Sequence, residues 1–90
     1  MTKNDMYLEL FNKYQDKQMF VAIEEFSELQ KEICKYLRGE CNMNNLIEEV
    51  ADAEIMLEQI KLFFNIDKKF LGKMKQFKLE RTKKRLFKGE

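Results

Sequence analysis

The chain of 90 residues contains no histidine, no proline and no tryptophan, and it has only three glycines and two cysteines. Without histidine there is no Ser-His or Cys-His nucleophile pair and no imidazole metal ligand, so any catalysis must use carboxylates, lysine, arginine or thiols. Cys34 and Cys41 lack CxxC spacing and have no cysteine or histidine beside them. They are therefore interpreted as reduced packing residues and not as a zinc or redox site.

Long apolar runs are also missing. The longest one is the five residues 19–23, whereas about 20 apolar residues are needed to cross a bilayer. The first residues show no signal-peptide pattern. From the sequence we expect a cytoplasmic protein with no membrane partner.

The composition is rich in helix-forming residues such as Glu, Lys, Leu, Met and Gln. No stretch alternates apolar and polar residues over the length of a strand, so the sequence predicts an all-α fold. Thr2 and Asp5 form a capping-box pattern that would open a first helix. Gly39 marks the end of a long second helix over about residues 17–38. Asn45 and Glu48 repeat the cap-plus-acid pattern and predict the start of a third helix.

That third helix is predicted to run to about residue 64 and a basic fourth helix to cover about 68–88, which makes about four helices in one domain spanning residues 1–90. The middle helices carry apolar residues at alternating spacings of four and three, namely Ala22, Phe26, Leu29, Ile33 and Tyr36, then Leu46, Val50, Ala53 and Leu57, with Phe64 seven residues further on. Two such helices joined by a short loop form an antiparallel hairpin. Because so short a chain buries a small core, we expect a homo-oligomer, a dimer or tetramer, to complete it.

Charge is distributed unevenly along the chain. Residues 1–67 hold seven Lys/Arg and fourteen Asp/Glu, a net −7, whereas residues 68–90 hold ten Lys/Arg and two Asp/Glu, a net +8. Such a basic segment can bind nucleic acid, can hold an anionic ligand near the acidic part, or can be a solvated helix face.

Several acids point partly inward. At about 100° per residue, Glu25 and Glu28 share one flank of the second helix and Glu32 continues it. Glu49 falls inside the apolar arc of the third helix, with Asp52 at its edge. Burying like charges needs a compensating positive charge, and paired carboxylates suit Mg²⁺, with Mn²⁺ as an alternative. The competing interpretation is a set of solvated or salt-bridged acids, which are common on helices.

The order Glu24-Glu25-x-x-Glu28, followed after the hairpin turn by Glu49-x-x-Asp52, resembles the EExxE…ExxD signature of MazG-like nucleoside triphosphate pyrophosphohydrolases, the all-α NTP pyrophosphatase superfamily. Gln18 resembles a glutamine often found upstream of that signature. The stretch from Lys78 to Arg81 resembles the basic Lys-x-x-Arg stretch near the end of such domains.

The resemblance implies magnesium-dependent hydrolysis of a nucleoside or deoxynucleoside triphosphate to the monophosphate and pyrophosphate. The positions that match the family's metal ligands are Glu25, Glu28, Glu49 and Asp52. Glu24 or Glu28 could act as the catalytic base, and Gln18 is a candidate nucleoside contact. Where family members often carry an aromatic residue one turn after the aspartate, this chain has Met56.

On the fourth helix, Phe70, Met74 and Phe77 are predicted to form an inward stripe. Lys78, Arg81 and Arg85 continue it and could bind triphosphate oxygens, although frayed and exposed terminal turns are the alternative. The competing function is a non-enzymatic helical interaction module whose basic tail binds nucleic acid. Phenylalanines at core-like spacing argue against single-strand binding, so a nucleic-acid partner is disfavoured.

Overall fold

The computed structural model describes residues 1–88, and over that range the chain forms four α-helices and no strand. They are α1 (Lys3–Tyr14), α2 (Asp16–Leu37), α3 (Met43–Phe63) and α4 (Lys68–Lys88). The all-α prediction with about four helices is confirmed.

The first helix begins as the sequence predicts. The Asp5 backbone N–H donates to Thr2 Oγ1 at 3.1 Å, and the Thr2 backbone N–H donates to Asp5 Oδ2 at 3.0 Å. This reciprocal capping box satisfies donors that the first turn leaves free. Gln15 lies between α1 and α2, and its φ of 51° interrupts the helical backbone and so separates the two helices.

The turn between α2 and α3 is built around Gly39, whose φ is +76°. The Gly39 N–H donates to the Tyr36 carbonyl at 3.0 Å and the Glu40 N–H to the Lys35 carbonyl at 2.8 Å, the pair of bonds that defines a Schellman ending. Gly39 therefore ends α2, as predicted.

The predicted start of α3 at Asn45 is wrong. Asn42 caps this helix, because its side chain accepts the Asn45 backbone N–H at 3.2 Å, and α3 begins at Met43. Asn45 thus lies in the first turn as the donor of the capping bond. Either of two asparagines spaced three residues apart can cap a helix, and the cap-plus-acid pattern favoured Asn45.

α2 and α3 form an antiparallel hairpin, and α1 packs across its open end. Near that end the Gln18 Nε2 donates to Gln59 Oε1 at 2.8 Å, a hydrogen bond between two buried side chains. The ring of Phe11 stacks on Phe63 with centroids 4.3 Å apart. The buried apolar residues are few, namely Tyr7, Phe11, Ala22, Ala53 and Met56.

The fourth helix packs against none of the other three and has no buried residue. The radius of gyration is 16.5 Å, whereas a compact chain of this length would have about 12 Å. α4 therefore projects from the body formed by α1, α2 and α3. No helix within residues 1–88 is long and apolar enough to cross a membrane.

Candidate metal centre

Three carboxylates from the two hairpin helices converge on one point. Glu25 of α2 and Glu49 and Asp52 of α3 each offer an oxygen, and these oxygens all lie within 4.8 Å of one another. Glu49 and Asp52 are three residues apart, so they occupy one face of α3 a single turn from each other. The antiparallel pairing places Glu25 opposite them.

The three acids are partly buried. Burial is the largest cause that raises the pKa of the Glu49 carboxyl, followed by the negative charges of Asp52 and Glu28. The pKa of Glu25 is also raised, again by burial first and then by the charge of Asp52. These raised pKa values reflect the partial burial of the carboxylates and the repulsion between their negative charges.

No protein cation compensates this cluster within the described chain. The ion pairs there join Lys3 to Glu58, Lys35 to Glu32 and Arg38 to Glu40, and none includes a member of the cluster. Glu49 Oε2 is buried and has no hydrogen-bond partner. A buried carboxylate oxygen with no donor is costly, and a bound cation would satisfy it.

The donor set fits a small, hard divalent cation. All three groups are carboxylates, and Mg²⁺ and Mn²⁺ prefer oxygen ligands in octahedral shells completed by water and phosphate oxygens. Ligand oxygens about 2.1 Å from Mg²⁺ are separated by less than the 4.8 Å that encloses this cluster. Small side-chain rotations would therefore bring the three groups to binding distance.

Glu28 and Glu24 lie beside the cluster and not within it. Glu28 is partly buried one turn after Glu25 on α2, and its charge helps to raise the pKa of Glu49. It is not among the oxygens that converge within 4.8 Å. Glu24 is exposed, and its charge is a minor contribution to the raised pKa of Glu25.

Gln18 is 7% exposed and donates one amide hydrogen to Gln59. It lies about 10 Å along α2 from Glu25, since the two are seven residues apart on a helix rising about 1.5 Å per residue. In the structure its visible role is to join α2 to α3.

The three cations predicted to bind phosphate, Lys78, Arg81 and Arg85, are exposed on α4. Because α4 packs against no other helix, a single chain does not bring them to the acidic cluster. The stripe of Phe70, Met74 and Phe77 is likewise exposed, at 61%, 41% and 64%, so it does not face the hairpin of its own chain.

Two acids have roles that the sequence did not reveal. Glu32 is buried, its Oε1 accepts from Lys35 Nζ at 3.3 Å, and its Oε2 is buried without a partner. Glu58 accepts from Lys3 Nζ at 2.9 Å and from the Tyr7 hydroxyl at 3.3 Å, which ties α1 to α3. The spacing of Glu32 and Lys35 could have signalled the first pair, whereas contacts between α1 and α3 leave no local pattern.

Comparison with known proteins does not place the chain in a family. No family model, no curated protein and no solved structure matches it.

Proposed function

We propose that this chain is a magnesium-dependent nucleoside triphosphate pyrophosphohydrolase, which converts an NTP or dNTP to the monophosphate and pyrophosphate. The observation that carries the proposal is the convergence of Glu25, Glu49 and Asp52 around a site that no protein cation compensates in residues 1–88. These acids occupy the corresponding positions of the EExxE…ExxD pattern on two consecutive helices.

In this proposal Glu25, Glu49 and Asp52 would hold the cation, and Glu28, one turn after Glu25 on α2, would join them as a fourth ligand. A bound Mg²⁺ would neutralise phosphate charge and lower the pKa of the attacking water. Glu24 or Glu28 accepts the proton that this water loses. The oxygen of the water forms a bond to phosphorus as the bridge between the α- and β-phosphates breaks, which releases the nucleoside monophosphate and pyrophosphate.

The remaining predicted contacts depend on parts of the chain that lie away from the cluster. Lys78, Arg81 and Arg85 would bind the triphosphate if α4 of a second copy in a homo-oligomer reaches the hairpin. A contact from Gln18 to the nucleoside would use its second amide hydrogen or its carbonyl oxygen, since one amide hydrogen is donated to Gln59.

The direct test is a screen for pyrophosphate release from the standard ribo- and deoxyribonucleoside triphosphates with Mg²⁺ and with a chelator. We expect release with at least one substrate and only with the cation. Glu49→Gln and Asp52→Asn should each lower turnover about a hundredfold or more. The matched control is Glu54→Gln, which removes an exposed acid of the same helix and should retain activity. Full activity in Glu49→Gln and Asp52→Asn would refute the proposal.

One observation favours a second function. α4 projects free of the body and carries ten Lys/Arg against one Asp/Glu over residues 68–88, a net +9. A non-enzymatic module could present such a helix to nucleic acid phosphates. Oligonucleotide binding that weakens steeply with salt, together with no pyrophosphate release from any nucleotide, would favour this function over the enzyme.

A further inference from the structure

The hairpin exposes an apolar surface that no helix of the described chain covers. Near the α2–α3 turn a groove of about 540 Å³ is lined by Ile33, Tyr36, Cys41, Met43 and Leu46. Val50 and Leu57 continue this surface along α3, since at about 100° per residue they lie within about 40° of Leu46. Ile33, Tyr36 and Met43 are 48%, 62% and 59% exposed. Such a contiguous apolar area on a small protein marks an interaction site.

The projecting α4 presents the opposite half of an interface. Phe70, Met74 and Phe77 follow one another at spacings of four and three, so they form a single apolar stripe on its surface. At Gly72 the surface of α4 faces open space, because a Cβ added there would meet no atom within 4 Å. The stripe runs along a helix of net charge +9 in residues 68–88, whereas residues 1–67 carry a net −7.

Geometry prevents the stripe from reaching the groove of its own chain. α4 starts beyond the end of α3 that is farthest from the groove, and α3 has 21 residues, a length of about 31 Å. Phe77 lies nine residues into α4, about 14 Å along its axis. Folded back against α3, the stripe would come level with Leu57 of its own chain but would fall about 12 Å short of the groove, because Leu46 lies 17 residues before the end of α3.

We propose that α4 packs in trans, with the stripe of Phe70, Met74 and Phe77 seated in the groove near the α2–α3 turn of a second copy's hairpin. Each copy carries both halves, so two exchanged helices form a closed, symmetric dimer. The basic flanks of α4 then lie beside the acidic body of the partner, and the exposed apolar residues of both surfaces become buried. This assembly goes beyond the proposed hydrolysis and is independent of any metal.

The interface is tested by light scattering on the full chain at micromolar concentration, in chelator. We expect at least twice the chain mass of 11.0 kDa. Phe77→Asp should raise the dissociation constant of the dimer at least tenfold, while Leu79→Asp should not. Phe77 and Leu79 are 64% and 62% exposed but lie about 160° apart around α4, so the pair compares the two faces at equal exposure.

The receiving surface has its own matched pair. Ile33→Asp, in the groove, should weaken the dimer, whereas Ile55→Asp should leave it intact. The two isoleucines are 48% and 44% exposed, and Ile55 lies about 160° from Leu57 around α3. Circular dichroism of each variant shows whether helical content is retained, which is expected because every substituted side chain is exposed.

A cross-link identifies the contact between copies. Lys78 borders the stripe, about 40° from Met74 around α4, and the exposed Cys41 lines the groove, so oxidation of Lys78→Cys should link position 78 to Cys41 of the second copy and produce a covalent dimer. The link should disappear when Cys41→Ser is added, and Lys83→Cys, farther along α4 on another face, should not form it. A monomer in light scattering, equal effects of Phe77→Asp and Leu79→Asp, or monomers that bind an oligonucleotide through α4 would each overturn the proposal.

Discussion

Replacing Glu49 by glutamine should change how strongly Mg²⁺ stabilises the folded chain. Glu49 is the cluster member with a buried, unpartnered oxygen, and four neighbouring acids raise its pKa in addition to burial. In chelator the substitution removes one of the repelling charges, so the melting temperature should stay the same or rise.

Magnesium should then distinguish the two proteins. A cation that binds only the folded state at ten times its dissociation constant stabilises it by about 1.4 kcal/mol, which corresponds to about 6–11 °C in melting temperature for a domain of this size. If the loss of one ligand raises the dissociation constant tenfold, the shift at the same Mg²⁺ concentration falls to about 0.3 of the parental value.

The assay is thermal unfolding followed by circular dichroism, in chelator and across a Mg²⁺ titration, with ionic strength held constant by added monovalent salt. Glu54→Gln is the control, because it removes an exposed acid of the same helix and should show the parental shift. Equal magnesium-induced shifts in the parent and in Glu49→Gln would refute the metal-site hypothesis, even if the protein bound nucleotides.

Three further predictions concern the folded state. In chelator, raising the pH above about 4.5 should lower the free energy of unfolding more in the parent than in a variant with both Glu25 and Glu49 changed to glutamine, because the raised pKa values of these acids make them bind more protons in the folded than in the unfolded state. The lowered pKa values of Asp5 and Glu58 act in the opposite direction in both proteins. Urea unfolding measures the two slopes, and equal slopes would contradict the prediction. Gln59→Leu should lower the free energy of unfolding by about 1–3 kcal/mol, because it leaves the buried Gln18 without its hydrogen-bond partner. Adding Gln18→Leu should recover part of that loss. In urea unfolding, a double variant no more stable than Gln59→Leu alone would contradict this prediction. Gly39→Ala should cost about 1–2 kcal/mol from its left-handed φ of +76° alone, since open space surrounds that position, and an unchanged urea midpoint would argue against the turn described.

The parts of the fold that depend on neighbours in sequence were predictable. The Thr2 capping box and the Gly39 ending follow from residue types at fixed spacings, and the structure has both. The start of α3 was misplaced because Asn42 and Asn45 both suit a cap. Local sequence cannot choose between them, since that choice depends on how the turn after Gly39 closes.

The acidic site was predictable in part for the same reason. Helical periodicity turned Glu49 and Asp52 inward, and the hairpin placed Glu25 opposite them. Periodicity could not separate Glu25 from Glu28, which differ by only about 60° around α2, and the structure brings only Glu25 into the close cluster. The stripe on α4 showed that this helix has a face to bury, but an amphipathic pattern does not specify which surface covers it.

The hydrogen bond between Gln18 and Gln59 has a consequence for cation choice. Two packed helices can slide past each other, and a hydrogen bond between two buried side chains resists that sliding because a displacement that breaks it leaves both amides unsatisfied. Gln18 lies about 10 Å along α2 from Glu25, so the hydrogen bond that fixes α2 against α3 also fixes the distance between Glu25 and Asp52. Mg²⁺ needs oxygens at about 2.1 Å, whereas Ca²⁺ accepts about 2.4 Å. A small displacement of α2 along α3 would therefore change the distances between the ligand oxygens, and the same carboxylates could then prefer a larger cation.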